Sequence, residues 1–373
     1  MKILLSISLT LAALALSTAW PLTRKICFPG GGVVSVKLKH IHVHAETLCN
    51  QTGTSLVRKT AHAGPLMEVH HLFAVAVTIG TPPKEYELVV DTSSAETWVT
   101  SVARHNHTSY VPSESTSSEN QYQHFRFHNG EGATGKGNLF MDNLMIAEVM
   151  VESQIFGVLK SLSDPFKSLY GDGILALPPF DVKSPSFVDN AFDEEKLSEI
   201  IFALYLPRTG EGELTMGGVN TTRYTGNLTY IPVSCPLVWQ VTIEDITSRG
   251  RSLGITLEAS IDTTASSIIL DKRSAYNLFR TVRGAKRYTA RHWTFPCHSS
   301  PDFSIMMNGV RFKIPKASIN LGPVVAGGRD CVSAIMSGAE EGHAVLGLAF
   351  VQNYYTVFDK TTYPHRVGFA PII

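Results

Sequence analysis

The chain has 373 residues, of which 44% are hydrophobic and 17% charged, so it can bury a large core and is long enough for two or three domains. Its 32 basic and 32 acidic residues give a net charge of zero, which argues against nucleic acid or an anionic membrane as a partner. The composition also excludes a disordered polar chain, and beyond the N-terminus no apolar run is long enough to span a bilayer.

The chain begins with the pattern of a secretory signal peptide. Lys2 precedes a nearly uncharged run from Ile3 to Leu16, and small residues follow at 17–19. This order of a basic, an apolar and a small-residue region predicts a signal peptide over residues 1–19. A buried N-terminal helix is the alternative, which the small residues disfavour. We therefore expect entry into the secretory pathway and an extracellular or lysosomal destination, where disulfides persist.

Cysteines and glycosylation motifs agree with that compartment. The five cysteines are an odd number, so at least one is free or paired outside the chain, and their spacing does not indicate zinc. They are Cys27, Cys49, Cys235, Cys297 and Cys331. Four Asn-x-Ser/Thr motifs are candidate glycosylation sites and are expected at the surface: Asn50, Asn106, Asn220 and Asn227.

Three histidines alternate in the segment HIHVH. On a strand His40, His42 and His44 would share one face, which could bind a metal. The alternative is an exposed strand rich in histidine. We favour the strand, because no carboxylate or cysteine lies at a matching spacing. The sequence predicts no metal site and no cofactor.

Most of the remaining chain is typical of short β-strands. Runs rich in Val, Ile, Thr and aromatic residues alternate with Gly, Pro and Asn. Strands are predicted over residues 72–79, 86–91, 228–233, 239–246, 304–314 and 354–359. Helices are predicted over 193–206 and 272–282, the second with Asp271 near its start as a cap. The pattern therefore favours a mainly β protein with a few short helices.

An internal duplication organises these strands. ELVVDTSSAETWV and ASIDTTASSIIL are each an apolar strand that ends in Asp-Thr and small polar residues. Each is followed by a similar apolar segment, and the step from Asp91 to Ile174 equals the step from Asp262 to Val345, 83 residues in both cases. We infer two lobes of similar topology that meet at the two aspartates.

Two facing aspartates define a particular chemistry. Two carboxylates a few ångströms apart cannot both ionise cheaply, so the pair holds one acid and one base. Such a pair can activate a water and protonate a carbonyl, which suffices to hydrolyse an amide at acidic pH. The alternative is that Asp-Thr-Ser and Asp-Thr-Thr are ordinary turns. The matched spacing favours the paired site.

From about residue 66 to the C-terminus, the sequence resembles the pepsin-like aspartic proteases. The resemblance is carried by IGTPP and the Asp-Thr-Ser segment within residues 74–99, and by segments 170–179, 212–233, 259–267 and 344–371. It implies an all-β, bilobal fold with a substrate cleft between the lobes. It also implies a prosegment over residues 20–65, an N-terminal lobe over 66–232 and a C-terminal lobe over 233–373. VVSVKLKHIHV resembles the first strand of the prosegment.

The resemblance also implies roles for individual residues. Asp91 and Asp262 would be catalytic, Thr92 and Thr263 would hydrogen-bond between the two loops, and Ser94 would donate to Asp91. Trp98 would support the active loop. It would occupy the position from which family members hydrogen-bond the flap tyrosine; the alternative is that it is an ordinary core residue. Cys297 and Cys331 would form a disulfide, while the partner of Cys235 and a pairing of Cys27 with Cys49 stay open. The expected partners are a polypeptide substrate and the prosegment as inhibitor, and we expect a monomer.

The chain departs from the family pattern at several positions. Ser93 and Thr264 replace the glycine of Asp-Thr-Gly, and Thr264 is the poorer substitute because it is β-branched. Ala176 replaces a third glycine, while Gly347 is retained. Ala265 lacks a hydroxyl that many relatives use, and its loss would raise the pKa of the carboxyl pair.

The flap is the larger departure. In FHNGEGATGKG (127–137), Asn129 or Gly130 aligns with the tyrosine that family members usually carry, and Phe127 or His128 is a candidate substitute.

Three hypotheses follow from these patterns. The first is an acid-active aspartic endopeptidase made as a secreted zymogen. The second is a catalytically weak or inactive pepsin-fold protein that binds peptide or protein in its cleft, as the replaced glycines and flap suggest. The third, a phosphotransfer enzyme with a nucleophilic Asp, is disfavoured because that chemistry needs an α/β scaffold. We favour the endopeptidase, because both aspartates, both threonines and Ser94 are present.

Overall fold

The computed structural model describes residues 32–43, 70–128, 134–163, 171–180 and 183–373. The sequence predictions for the signal peptide, Cys27, Cys49, His44 and Asn50 lie outside these residues. Within the described ranges, no helix is long and apolar enough to cross a membrane.

Strands dominate the described chain. In the first part they are β1 (Val34–Val43), β2 (His70–Ile79), β3 (Lys84–Asp91), β4 (Trp98–Thr100), β5 (Glu119–His128), β6 (Thr134–Ile146), β7 (Val149–Leu162), β8 (Gly173–Ala176), β9 (Ile201–Tyr205), β10 (Gly212–Met216) and β11 (Thr229–Pro232).

The second part contains β12 (Gln240–Ile243), β13 (Asp245–Ser248), β14 (Arg251–Ser252), β15 (Leu257–Ile261), β16 (Ile268–Asp271), β17 (Lys286–Arg287), β18 (Trp293–Pro296), β19 (Phe303–Met307), β20 (Val310–Ile314), β21 (Asn320–Pro323), β22 (Asp330–Ser333), β23 (Ile335–Ala339), β24 (His343–Leu346), β25 (Tyr354–Asp359) and β26 (Arg366–Pro371).

Helices are short and few in the described ranges. They are α1 (Phe187–Asp193), α2 (Lys272–Phe279), α3 (Lys316–Ile319) and α4 (Leu348–Val351), with 3-10 turns at Pro112–Glu114 and Thr221–Arg223. The prediction of a helix near 272–282 is confirmed, and the Asp271 side chain caps it by accepting a hydrogen bond from the Ser274 backbone N–H at 2.9 Å.

The predicted helix over residues 193–206 is wrong. The helix α1 lies earlier, capped by Ser186, and the chain turns at Glu195, which has a φ of 58°. The apolar run that follows is strand β9, which is hydrogen-bonded between β10 and β25. Because β10 is the next strand along the chain and β25 lies about 150 residues further on, pairing in the sheet decides the conformation of this run and its local pattern does not.

The predicted strands are found, two of them divided by turns. Residues 304–314 form the hairpin β19–β20, because Asn308 and Gly309 take φ values of 48° and 70° and turn the chain back. Residues 239–246 divide into β12 and β13 at Glu244. The sequence signal for strand is therefore correct, while the turn chemistry sets where each strand ends.

Thirteen strands form one extended sheet in the order β11-β26-β25-β9-β10-β1-β2-β3-β8-β4-β7-β6-β5. Strand β1 lies near its middle, with Val34–Leu38 paired to β10 and residues 39–43 paired to β2. The other sheets described are β12-β15-β24-β16-β23, β14-β13-β19-β20 and β17-β18-β22-β21.

Two groups of four strands repeat one pattern. In the first, β8 pairs parallel with β3 and antiparallel with β4, which pairs parallel with β7. In the second, β24 pairs parallel with β15 and antiparallel with β16, which pairs parallel with β23. The register also repeats, since position 90 faces 175 and position 261 faces 346, a separation of 85 residues in both. The inferred duplication is thus a duplication of structure.

A tryptophan joins the two halves in the core. Trp239 is 1% exposed, and its indole N–H donates to the Leu177 carbonyl at 2.8 Å. Its ring packs edge-on against Phe202 and Phe358, which stack on each other with ring centroids 4.6 Å apart. This contact fixes the end of β8 against the start of the second group of strands.

The disulfide between Cys297 and Cys331 is present and links the end of β18 to β22. Its two cysteines are 34 positions apart, so the bond restricts a loop of that length in the unfolded chain. We expect the C297A/C331A variant to lose about 3–4 kcal/mol of unfolding free energy, measured by urea denaturation. The unpaired Cys235 provides the control, since Cys235→Ala should leave the midpoint nearly unchanged. Equal stability of both variants would contradict this prediction.

Candidate active site

The two aspartates stand at equivalent ends of the repeated strands. Asp91 is the last residue of β3, and Asp262 directly follows β15. Each strand is buried and flanked by a parallel neighbour, so each chain emerges at the same edge of its group. The fold therefore brings together two residues that are 171 positions apart.

Two threonines tie the loops together. The Thr92 N–H donates to Oγ1 of Thr263 at 3.2 Å, and the Thr263 N–H donates to Oγ1 of Thr92 at 3.3 Å. Each hydroxyl also donates across the junction, from Thr92 to the Ile261 carbonyl at 2.9 Å and from Thr263 to the Val90 carbonyl at 2.8 Å. All four bonds are buried, which makes their geometry costly to break.

The Asp91 carboxylate accepts four hydrogen bonds. Its Oδ1 receives the Ser93 N–H at 2.7 Å, the Ser93 hydroxyl at 2.7 Å and the Ser94 N–H at 3.1 Å. Its Oδ2 receives the Ser94 hydroxyl at 2.6 Å. The residue is only 4% exposed. Because donors reach both oxygens, they hold the carboxylate in one orientation.

Asp262 accepts three hydrogen bonds, all on one oxygen. Its Oδ1 receives the Thr264 N–H at 2.8 Å, the Thr264 hydroxyl at 2.7 Å and the Ala265 N–H at 3.1 Å. Burial and, next, the negative charge of Asp91 raise the pKa of Asp262, while the donors from Thr264 and Ala265 oppose that rise. The two carboxyls therefore interact electrostatically and differ in their environments.

The substituted glycine positions do not distort the loops. Neither Ser93 nor Thr264 has a positive φ, so a side chain fits there without the strain that a left-handed backbone would impose. The expectation that Thr264 is a poor substitute is not met, because its backbone and hydroxyl both bond to Asp262. That hydroxyl donates to Oδ1 of Asp262, whereas the Ser94 hydroxyl in the other lobe donates to Oδ2 of Asp91.

The two apolar segments that flank the loops differ in their tolerance of a side chain. A Cβ at Gly347 would lie 2.3 Å from the Ala265 carbonyl oxygen and 2.4 Å from that of Ser267, so glycine is required there. Ala176 occupies the matching place beside Asp91, fully buried, and its N–H donates to Oγ1 of Thr97 at 3.1 Å. The first lobe thus accommodates the methyl group that the second excludes.

Trp98 lies in a small core beneath the flap hairpin. It is fully buried and packs against Phe127, with ring centroids 5.3 Å apart. Phe127 and His128 end β5, and their partners Gly135 and Thr134 begin β6. The alignment of Asn129 or Gly130 with the flap tyrosine lies outside the described residues. Phe127 therefore contacts the active-loop tryptophan from the flap.

The remaining predicted sites lie away from the carboxyl pair. Asn106 and Asn227 are exposed, as a glycan would require. Asn220 is half-buried and its amide donates to the buried Glu213 at 2.7 Å, which makes it the least accessible of the three. His40 stacks on Phe73 with ring centroids 4.5 Å apart. In the described part of the chain no group of His, Cys, Asp and Glu residues has the arrangement of a metal site.

Sequence reasoning missed what Ser93 and Thr264 contribute. The sequence indicates that hydroxyls after each aspartate can donate to a carboxylate or join the loops, but it assigns neither role to Ser93 or Thr264, whose hydroxyls both bond to the neighbouring aspartate. The available signal was the tendency of Ser and Thr to form local hydrogen bonds two residues from an acceptor.

Two lobes with one strand pattern, each presenting a buried aspartate where they meet, define a bilobal all-β protein with a paired-carboxylate site. The sequence model described as "Eukaryotic aspartyl protease" matches residues 72–372. The chain is 31% identical to a pregnancy-associated glycoprotein of Equus caballus over 322 residues, which cover 80% of each chain. It is 30% identical to gastricsin of Mus musculus, covering 80% of each, and 29% identical to pepsin A of Suncus murinus, covering 79% and 80%.

The chain therefore belongs to the eukaryotic aspartyl protease family and has its pepsin-like fold. The family resemblance carried by the motifs of the sequence is confirmed.

The threonine contacts give a test of how the lobes are joined. In Thr92→Val, the buried Ile261 carbonyl and Thr263 N–H each lose a partner. We expect a loss of about 1–3 kcal/mol of unfolding free energy for each stranded group, measured by urea denaturation. Thr92→Ser keeps the hydroxyl and should retain most of the stability. Equal unfolding free energies for Thr92→Val and Thr92→Ser would show that the hydrogen bonds of the Thr92 hydroxyl do not hold the lobes together.

Proposed function

We propose that the chain is an aspartic endopeptidase that hydrolyses peptide bonds at acidic pH with a water activated by Asp91 and Asp262. The observation that carries the proposal is the unequal hydrogen bonding of the two carboxyls, with four donors on Asp91 and three on Asp262. Unequal environments assign one member of such a pair as base and the other as acid.

The mechanism follows from that inequality. Asp91, whose carboxylate accepts four hydrogen bonds, acts as the base that takes a proton from water. Asp262, whose pKa is raised, retains the proton and delivers it to the carbonyl oxygen of the substrate. Within the described chain Oδ2 of Asp262 accepts no hydrogen bond, so a proton resides there without displacing a donor.

The family membership supports a polypeptide as substrate. We further propose that the protein is made as a secreted zymogen, with a signal peptide over residues 1–19 and a prosegment over 20–65, and that it acts as a monomer. Strand β1 supports a prosegment because it is hydrogen-bonded on both sides into the main sheet. The basic Lys37 and Lys39 on this strand pair with Glu211 and Glu87, as an inhibitory segment held by ion pairs would.

The endopeptidase proposal is tested with an unfolded protein substrate from about pH 2 to 7. Asp91→Asn and Asp262→Asn should each reduce cleavage at least about a hundredfold, because each removes one of the two proton-transfer groups. Asp193→Asn, at an exposed aspartate at the end of α1, is the matched control and should cleave like the wild type. Cleavage that survives either active-loop change would reject the proposal. Correctly folded wild type that never cleaves would favour the peptide-binding alternative.

The zymogen proposal has its own test. On acidification, the purified full-length protein should shorten to a form that begins near residue 65, because an acid-active endopeptidase made as a zymogen would remove its own prosegment. N-terminal sequencing identifies the new end, and Asp91→Asn should remain full length. A full-length wild type with full proteolytic activity would contradict the prediction.

A further inference from the structure

The residues that replace glycine in the two active loops make the same contact in each lobe. Ser93 bonds to Oδ1 of Asp91 through its N–H and its hydroxyl, both at 2.7 Å. Thr264 bonds to Oδ1 of Asp262 through its N–H at 2.8 Å and its hydroxyl at 2.7 Å. Each aspartate is thus held by one residue through two adjacent donors, an arrangement that glycine cannot provide.

We propose that Ser93 and Thr264 are positioning residues, whose hydroxyls fix the two carboxyls and set the pH range in which the pair works. This inference rests on the proposed function, because it concerns the same two carboxyls. A hydroxyl 2.7 Å from a carboxylate oxygen is a charge-assisted hydrogen bond, among the stronger kinds in proteins. It favours the ionised carboxyl and so acts toward a lower pKa.

The two hydroxyls act on different limbs of the pH profile. Asp91 is the proposed base, so the hydroxyl that it receives from Ser93 governs the acid limb, where the active monoanion forms. Asp262 loses the last proton, so its hydroxyl from Thr264 governs the upper limb, where activity is lost. Removing either donor destabilises the corresponding anion and moves that limb toward higher pH.

The other ionisable groups on the packed elements have their own partners or, in the case of Glu85, are exposed to solvent. Glu96, on the Asp91 loop, pairs with Lys183, and Glu87 on β3 pairs with Lys39. On β3, Lys84 pairs with Glu114, and Glu85 is exposed; before β8, Asp172 pairs with His107. On β15, Glu258 accepts hydrogen bonds from the Thr242 and Ser234 hydroxyls. His343 on β24 bonds to the Glu341 carbonyl, and Asp271 at the start of α2 accepts a hydrogen bond from the Ser274 hydroxyl. The charge that acts on Asp262 is that of Asp91.

The hydroxyls can be removed without disturbing the core. Ser93 is exposed and Thr264 half-buried, and neither has a strained backbone. Ser93→Ala and Thr264→Val therefore delete a hydrogen bond while leaving most of the packing intact. Ser93→Thr and Thr264→Ser retain a hydroxyl and are the matched controls.

The experiment measures kcat/KM against pH from about 2 to 7 for the processed protein and the four variants. Ser93→Ala should move the acid limb up by about one pH unit, and Thr264→Val should move the upper limb up by a similar amount. The two controls should keep both limbs within a few tenths of a unit. Limbs that do not move in Ser93→Ala and Thr264→Val would overturn the positioning role while leaving the endopeptidase intact.

A second measurement does not need activity. Carbon-13 resonances of the two carboxyls, assigned with Asp91→Asn and Asp262→Asn, report their titration directly. Titrations that shift as predicted in a wild type that does not cleave would support the positioning role and reject the proposed function. Ser93→Gly and Thr264→Gly add a further outcome, since faster cleavage at every pH would show that the hydroxyls obstruct the pair. That result would overturn the inference.

Discussion

The exchange of hydrogen bonds between Thr92 and Thr263 is the constraint on which the site depends. Each threonine both donates to and accepts from the other loop, so neither loop can move without breaking buried bonds on both sides. The aspartates follow from it, because each precedes one of these threonines by one residue. A pair of carboxylates repels when ionised, and the threonines hold it together against that repulsion.

The backbones of the two lobes are alike, but the hydrogen bonds to the two carboxyls differ. Both lobes repeat one strand pattern and one register, yet Ser94 gives Asp91 a hydroxyl that Ala265 does not give Asp262. One missing oxygen is enough to make two equivalent carboxyls unequal. A duplicated fold thereby gives two carboxyls of the same residue type different hydrogen-bonding environments through a neighbouring side chain.

The sequence predicts the strands and the pairing of the aspartates because both are visible in local pattern and matched spacing. It fails for residues 193–206, where an apolar run fits a helix face as well as a buried strand and pairing with β10 and β25 decides between them. It also leaves the roles of the Ser93 and Thr264 hydroxyls unassigned, because the benefit of a hydroxyl depends on backbone φ and on side-chain direction. Neither quantity can be read from residue identity.

Strand β1 has a consequence for how the chain can be shortened. Its first half completes the hydrogen bonding of β10 and its second half that of β2, with five residue pairs on each side. A form of the protein without this strand leaves an open edge at β10 and another at β2. Unpaired edges recruit other strands, so another segment of the same chain must fill the slot, or neighbouring molecules will join through it.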